Sequence, residues 1–542
     1  MGSRRLSEKL ANFTSYCTVY ISGGVTTTSA SEYSVFNTSN VSSDPAPTID
    51  VLHSTPDISF DSTTGKITFG VEGTYLIYTN LGVIEIPSFT STDTTTVTAK
   101  IKINGGTDWE ADVSKTGVDI PLDPRHKEEI VGHIVRDVGA GDTVEVTVVT
   151  SNSETVQLAG GAHITVVKIH GQYGHVHYTA SSNETAANTA AVLGDSDLGG
   201  TTTVKTSGVT FTASTGIFTV GTTGNYLMLG HEYAENTDGS GNASGNRHMI
   251  YVTGSLTSRH SMNQPDGHND PGTMLWYGKL VSSEAGCSFR KQHVKKSKIN
   301  KGSSFSLIDI QGKTGTASSG IGSSGEFMGE TTDPGAAENT GTQILFDSDD
   351  GFSAIETNGR LAGLAGNTFT FTSSAGKFSP SVSGTYLISL IYQTSVSSGA
   401  GASAHTLSLN VNGSAIFSKK GSISSTSDGG LNTFLVVCDL NSGDEIQFVT
   451  VNPKTTSPIA WVTMVKIDSI KNRQKRLTIE ERASSQIAKD GTINTFERDV
   501  IGKQYSTLTD RVLPFSKAIG GPTNLRGRTT AYAPSLGGSE KK

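Results

Sequence analysis

The run from Gly174 to Tyr178 carries two imidazoles, His175 and His177, at a spacing that turns both rings to one face of a strand. Imidazole nitrogens ligate divalent transition metals. Three such pairs around a threefold axis would supply six nitrogens, an octahedral set. The bland alternative is a strand or linker with exposed imidazoles. The PDGHND stretch, residues 265–270, offers Asp266 and Asp270 as oxygen ligands for a hard cation, or is only a turn. Residues 117–129 (GVDIPLDPRHKEE) gather acidic and basic groups and read as a solvated charged loop. No hydrolase elbow, zincin, P-loop or dinucleotide fingerprint occurs, so neither an enzyme nor a cofactor is expected. Cys17, Cys287 and Cys438 are odd in number and far apart, which implies neither a disulfide framework nor a metal knuckle.

The elements that would position these groups are strands. Glycine is abundant (62 of 542 residues), charged residues are only 17%, and the residues that long helices need are scarce. The length suits about three or four domains. No apolar run reaches the roughly 18 residues of a membrane helix, and the first residues do not resemble a signal peptide, so no membrane partner is expected. Charge is uneven. Residues 471–542 hold 14 Lys/Arg against 7 Asp/Glu, a net of +7, and residues 1–470 hold 28 against 43, a net of −15. An acidic body argues against nucleic acid, while a basic arm suits an acidic partner surface.

An internal repeat sets the domain plan. Residues 58–77, 209–228 and 369–388 align without a gap. Each has a Phe (Phe60, Phe211, Phe371), a Gly five residues later (Gly65, Gly216, Gly376) and a Gly-x-Tyr-Leu ending (Tyr75, Tyr226, Tyr386). The copies lie 151 and 160 residues apart, a domain-sized period. Alternating residues around a glycine turn predict a hairpin with Phe60 facing inward, followed by a new strand. Asn104-Gly105, Asn412-Gly413, Gly141-Asp142 and Gly443-Asp444 mark further turns between apolar runs. The middle copy diverges most, and its residues 237–248 and 258–272 read as exposed loops.

This order of elements resembles the globular head of the complement component one-q and tumour-necrosis-factor superfamily. The third copy carries it best, with Gly376-Lys377-Phe378, Gly384-Thr385-Tyr386, Asn412-Gly413, Leu440 to Asp444 and Trp461 to Ile467. The first copy keeps Gly65-Lys66-Ile67, Gly73-Thr74-Tyr75 and Ile164 to Ile169. The second keeps Gly216, Phe218 and Gly224-Asn225-Tyr226. The resemblance implies an all-β chain of three tandem antiparallel jelly-roll β-sandwiches at 45–170, 171–330 and 331–470, after an N-terminal lead-in, 1–44. It also implies a homotrimer, or a pseudo-trimer made by the three domains of one chain. The motif residues Phe60, Tyr75, Phe211, Tyr226, Phe371 and Tyr386 would then serve the cores or the trimer faces. Similar domains in capsid spikes, fibres and tail-associated proteins of viruses and phages suggest a virion structural protein, assembled in a host cytoplasm and exposed on the particle. Alternatives are an adhesin for a host glycan or receptor and, more remotely, a glycan depolymerase, for which no distinctive carboxylate pair is found.

The ends differ from the body. Residues 3–13 could form a short amphipathic helix or a frayed terminus. Residues 471–542 lack a core-forming period yet keep spaced anchors, among them Phe496, Tyr505, Phe515 and Tyr532. An arm that orders against other capsid or tail proteins is expected, the alternative being a solubilising tail.

Overall fold

A computed structural model describes the strands and most connections between residues 15 and 468. Residues 1–14 and 469–542, the connections 39–47, 86–93, 117–127, 265–270, 310–323, 331–340 and 344–368, and some shorter ones lie outside the described residues. Ser15–Ile467 form one compact unit of antiparallel strands. Six sheets face one another in pairs around three apolar cores, giving jelly-roll β-sandwiches along the chain.

The repeated window occupies equivalent places. Ile58–Asp61 pairs with Lys66–Phe69, Val209–Thr212 with Ile217–Val220, and Phe369–Thr372 with Lys377–Pro380. Phe60, Phe211 and Phe371 lie opposite Ile67, Phe218 and Phe378. The turn glycines need a left-handed backbone, with φ of 73°, 62° and 50° at Gly65, Gly216 and Gly376. Ile67, Phe218 and Phe378 are the wholly buried members of each pair, while Phe60 and Phe211 are half-buried against their cores. The next strand places Tyr75, Tyr226 and Tyr386 in the cores. Tyr75 donates its hydroxyl to Val71 O (3.0 Å) and Tyr226 to Thr222 O (2.8 Å), so each ties its strand to the preceding turn.

Several boundaries need correction. Tyr16–Ile21, inside the expected lead-in 1–44, is a central strand pairing with both Ile49–Ser54 and His163–Ile169. Ser324–Glu330, assigned to the second domain at 171–330, pairs with Thr455–Asp468 and belongs to the third sandwich. Within the expected loops 237–248 and 258–272, residues 243–248 and 258–264 are strand, because Ala243–Val252 and Ser255–Gln264 form a long polar hairpin. Ladder hydrogen bonds extend strands through Ser, Asn and Gly once a neighbouring strand is paired, whatever the side-chain pattern.

Candidate functional site

The strand that follows the hairpin of each repeat is buried on both faces, which explains its unbroken apolar runs (Tyr-Leu-Ile-Tyr, Tyr-Leu-Met-Leu, Tyr-Leu-Ile). The tyrosines turn into their own cores. Leu76, Leu227 and Leu387, one residue on, turn into a fourth cluster that draws on all three sandwiches. Tyr16, Val135, Val167, Tyr173, Tyr277, Ile308, Val437, Val465 and Ile467 complete much of this seam. Full burial stabilises each leucine by about 2 kcal/mol.

Two of the contacts around the seam repeat one another. Glu128–Val138 of the first sandwich lies against Tyr173–Ala180, Gly224–Asn236 and Ser304–Ile308 of the second. Gly430–Leu440 of the third lies in the same way against Tyr16–Ile21, Gly73–Glu85 and His163–Ile169 of the first. The details also repeat. The Tyr16 hydroxyl meets Thr385 Oγ1 (3.1 Å), which donates to Asp439 (2.6 Å). The Tyr173 hydroxyl meets Thr74, which donates to Asp137 (2.5 Å). Gly161 and Gly302 hold equivalent close approaches at φ of 89° and 98°. A Cβ on Gly161 would sit 2.4 Å from Lys419 Cα, and one on Gly302 2.5 Å from Ala111 Cβ. Contacts that pass head to tail by one rotation tend towards a closed ring. The matching strand of the second sandwich, Pro271–Leu280, sends Leu275 and Tyr277 into the cluster that holds Val465 and Ile467 of the third. Residues of the first, second and third sandwiches of one chain thus share a single apolar cluster.

The seam is also polar in places. Between the first and third sandwiches, Lys419 Nζ pairs with Glu129 Oε2, both groups buried. Asn80 Nδ2 donates to Glu129 Oε1 (3.0 Å), Thr433 O (2.9 Å) and Thr433 Oγ1 (2.9 Å). The sequence reading puts Glu129 at the end of a solvated loop. Instead it lies one residue inside a strand whose partner face is the third sandwich, and residues 117–127 are outside the described set. Burial lowers the Lys419 pKa, against the pull of the Glu129 carboxylate.

Imidazoles line the boundary of the first and second sandwiches. His133 Nε2 lies 2.8 Å from Ser306 Oγ, and its Nδ1 lies 3.1 Å from Ser304 Oγ. Ser306 Oγ also meets His175 Nδ1 at 2.7 Å. The His133 ring stands 5.0 Å from His231 and 5.4 Å from His175. His175 and His177 do share one region, 5.4 Å apart between ring centres, but they are buried, not exposed. They face other imidazoles across a domain boundary, and the geometry assembles no three-donor metal set around them among the described residues. Burial drives His133 and His175 well below the ordinary imidazole range and His177 down to about 4. His163, near the third sandwich, is held neutral by burial and the nearby Lys419 charge, against the pull of its Gly161 contact. Its Nδ1 hydrogen faces Gly161 O (2.8 Å) and its Nε2 accepts from Leu435 N–H (3.4 Å), with the pKa lowered by burial to about 3.

A second polar cluster lies inside the second sandwich. Glu232, His248 and His293 bring three ligand atoms together with all three residues buried. Sequence reading misses them because His248 ends a stretch read as a loop, and Glu232 and His293 carry no diagnostic spacing. The Asp266 and Asp270 stretch, the arm residues Phe496, Tyr505, Phe515 and Tyr532, and residues 3–13 lie outside the described residues. Cys17, Cys287 and Cys438 are buried and not in disulfides, and burial pushes the thiols of Cys17 and Cys438 up to about 12.

No family model matches the chain, and no curated protein matches it. Solved structures similar to it include Eiger TNF from S. frugiperda, 13% identical over 29% of this chain and 92% of that one, with a TM-score of 0.19. Murine APRIL is 12% identical over 29% and 99% of the two chains, with a TM-score of 0.20. The globular domain of zebrafish complement 1qA protein is 15% identical over 27% and 98%, with a TM-score of 0.19.

Proposed function

We propose that the chain is a non-catalytic structural protein of a virion: a capsid-associated spike, fibre, decoration or minor component, surface exposed and anchored through residues 471–542. The observation that supports this reading is the seam. It locks the sandwiches of one chain into a preassembled body, which gives a particle a rigid head without a separate trimerisation step. Self-association of the chain then uses surfaces outside the seam. The basic arm, opposite in charge to the body, supplies the attachment to other capsid or tail proteins.

Deleting residues 477–542 tests the assignment. The truncated protein is expected to keep its β-rich circular dichroism and thermal transition but to be missing from purified particles by immunogold microscopy. Normal incorporation of the truncated chain would contradict the anchoring role, and absence of the full-length chain from any particle would contradict the virion reading. A glycan- or receptor-binding role is the second reading. It is favoured by the hairpin tips at Gly105, Gly254 and Gly413, where an added Cβ meets nothing within 4 Å, so each sandwich has an open tip. A glycan-array screen separates the two readings.

A further inference from the structure

We propose that Glu232, His248 and His293 form a binding site for a divalent first-row transition cation of the zinc class, which staples the two sheets of the second sandwich together. Glu232 sits on Gly224–Asn236 in one sheet. His248 sits on Ala243–Val252 in the other sheet, and His293 directly follows Cys287–Gln292 of that same sheet. Strand alternation separates Glu232 from its neighbour His231, which turns towards His133 and the seam.

The donor atoms converge. Glu232 Oε2 lies 2.5 Å from His248 Nε2 and 3.1 Å from His293 Nε2. All three ligand atoms fall within 4.8 Å of one another. Zinc takes imidazole nitrogen and carboxylate oxygen at about 2.0–2.2 Å in a tetrahedron, so a small separation of these donors admits the ion and leaves a fourth position for water. Two imidazoles and one carboxylate suit zinc and its first-row neighbours better than calcium or magnesium, which prefer all-oxygen shells.

Two further observations point to a ligand. Glu232 Oε1, His248 Nδ1 and His293 Nδ1 are buried without a hydrogen-bond partner, so protein contacts alone leave the cluster unsatisfied. Residue 272, opposite Glu232 in the ladder, is a glycine, and a Cβ there would lie 2.5 Å from His248 Nε2, the ligating atom. Lys291 approaches from the other side, its Nζ 3.8 Å from Glu232 Oε1 and 2.9 Å from Ser297 Oγ. It orients the carboxylate from the oxygen that does not face the imidazoles.

The test uses the untagged full chain, stripped with a chelator and titrated with Zn²⁺ by calorimetry. One equivalent per chain is expected to bind with sub-micromolar Kd and to raise the thermal midpoint. His248→Gln and Glu232→Gln are each expected to weaken binding by at least about tenfold. A His175→Gln/His177→Gln variant is expected to bind as the parent does. Because the site variants could fail to fold, X-ray absorption at the zinc edge of the parent protein provides an independent reading. Two imidazoles and an oxygen shell at about 2.0–2.2 Å are expected. No uptake at micromolar Zn²⁺, unchanged affinity in folded site variants, or an absorption edge without two imidazoles would each overturn the proposal.

Discussion

Lowering the pH from 7 to 5 is expected to destabilise the folded chain by about 2 kcal/mol through His163, with His133 and His175 adding in the same direction. All three are buried, and burial holds each below the value near 6.5 that an unfolded imidazole shows. A depressed histidine pKa makes the unfolded state the better proton binder. Stability is therefore fully present above about pH 6.5 and falls as the pH drops through the window towards the folded value, which for His163 is about 3. His163 loses roughly 1.4 kcal/mol per pH unit in that window, or about 2 kcal/mol by pH 5. The groups that face these rings do not remove the effect. His133 faces His231, His175, Ser304 and Ser306, while the Lys205 charge disfavours a proton on His175 and the Lys419 charge does so on His163. Urea denaturation at pH 7.5, 6.5, 5.5 and 5.0 measures this. A free energy of unfolding that stays flat from 7.5 to 5.0 would show that the imidazoles are not buried in the folded chain. Since a folded domain has only about 5–15 kcal/mol of net stability, this loss is a sizeable part of it.

Lys419→Met is expected to lower the stability of the full chain by about 3–5 kcal/mol, because it leaves the Glu129 carboxylate buried without its counter-charge. The pair joins sandwiches whose residues are 290 apart in sequence, so the loss falls on the contact between them. Glu129→Gln combined with Lys419→Met is expected to recover most of the loss, since no charge is then stranded. Thermal and urea unfolding of the single and double variants measure the difference. A single variant within 1 kcal/mol of the parent would place Glu129 and Lys419 in solvent and remove the first-to-third contact.

The sequence carries the hairpins and the fold class because each repeat satisfies local rules: alternation, a glycine with positive φ, and a tyrosine bound back to its turn. It carries the seam less openly. In Gly-x-Tyr-Leu the tyrosine serves the core and the leucine serves the neighbour, so loss of alternation at residues 75–78, 226–229 and 386–388 is itself the sign of a strand covered on both faces. What covers the second face is not written locally. The partners of Leu76, Leu227 and Leu387 lie in other sandwiches, and a homotrimer and a single-chain ring place the same pattern in the strand. Tyr16–Ile21 and Ser324–Glu330 are misassigned for a related reason, because a ladder partner of each, His163–Ile169 and Thr455–Asp468, lies most of a domain away. Glu129 and His248 read as parts of exposed loops because charge and polarity predict exposure on average. Only the paired neighbour, 290 residues away for Glu129 and Lys419, reverses that expectation.

The central claim is that the sandwiches of one chain close on one another. Closure between the second and third sandwiches, whose residues belong to one apolar cluster, tests it most directly. Val204 and Ala415 are exposed, and the native cysteines are buried, so Val204→Cys/Ala415→Cys can be spin-labelled at those two positions. Double electron–electron resonance on the full chain, with and without excess unlabelled chain, then reads the distance between them. The ring predicts one narrow distribution that dilution leaves unchanged. A broad distribution would mean that the sandwiches hang as independent beads, and a signal lost on dilution would mean that the contact belongs to different chains. Either result would contradict the account.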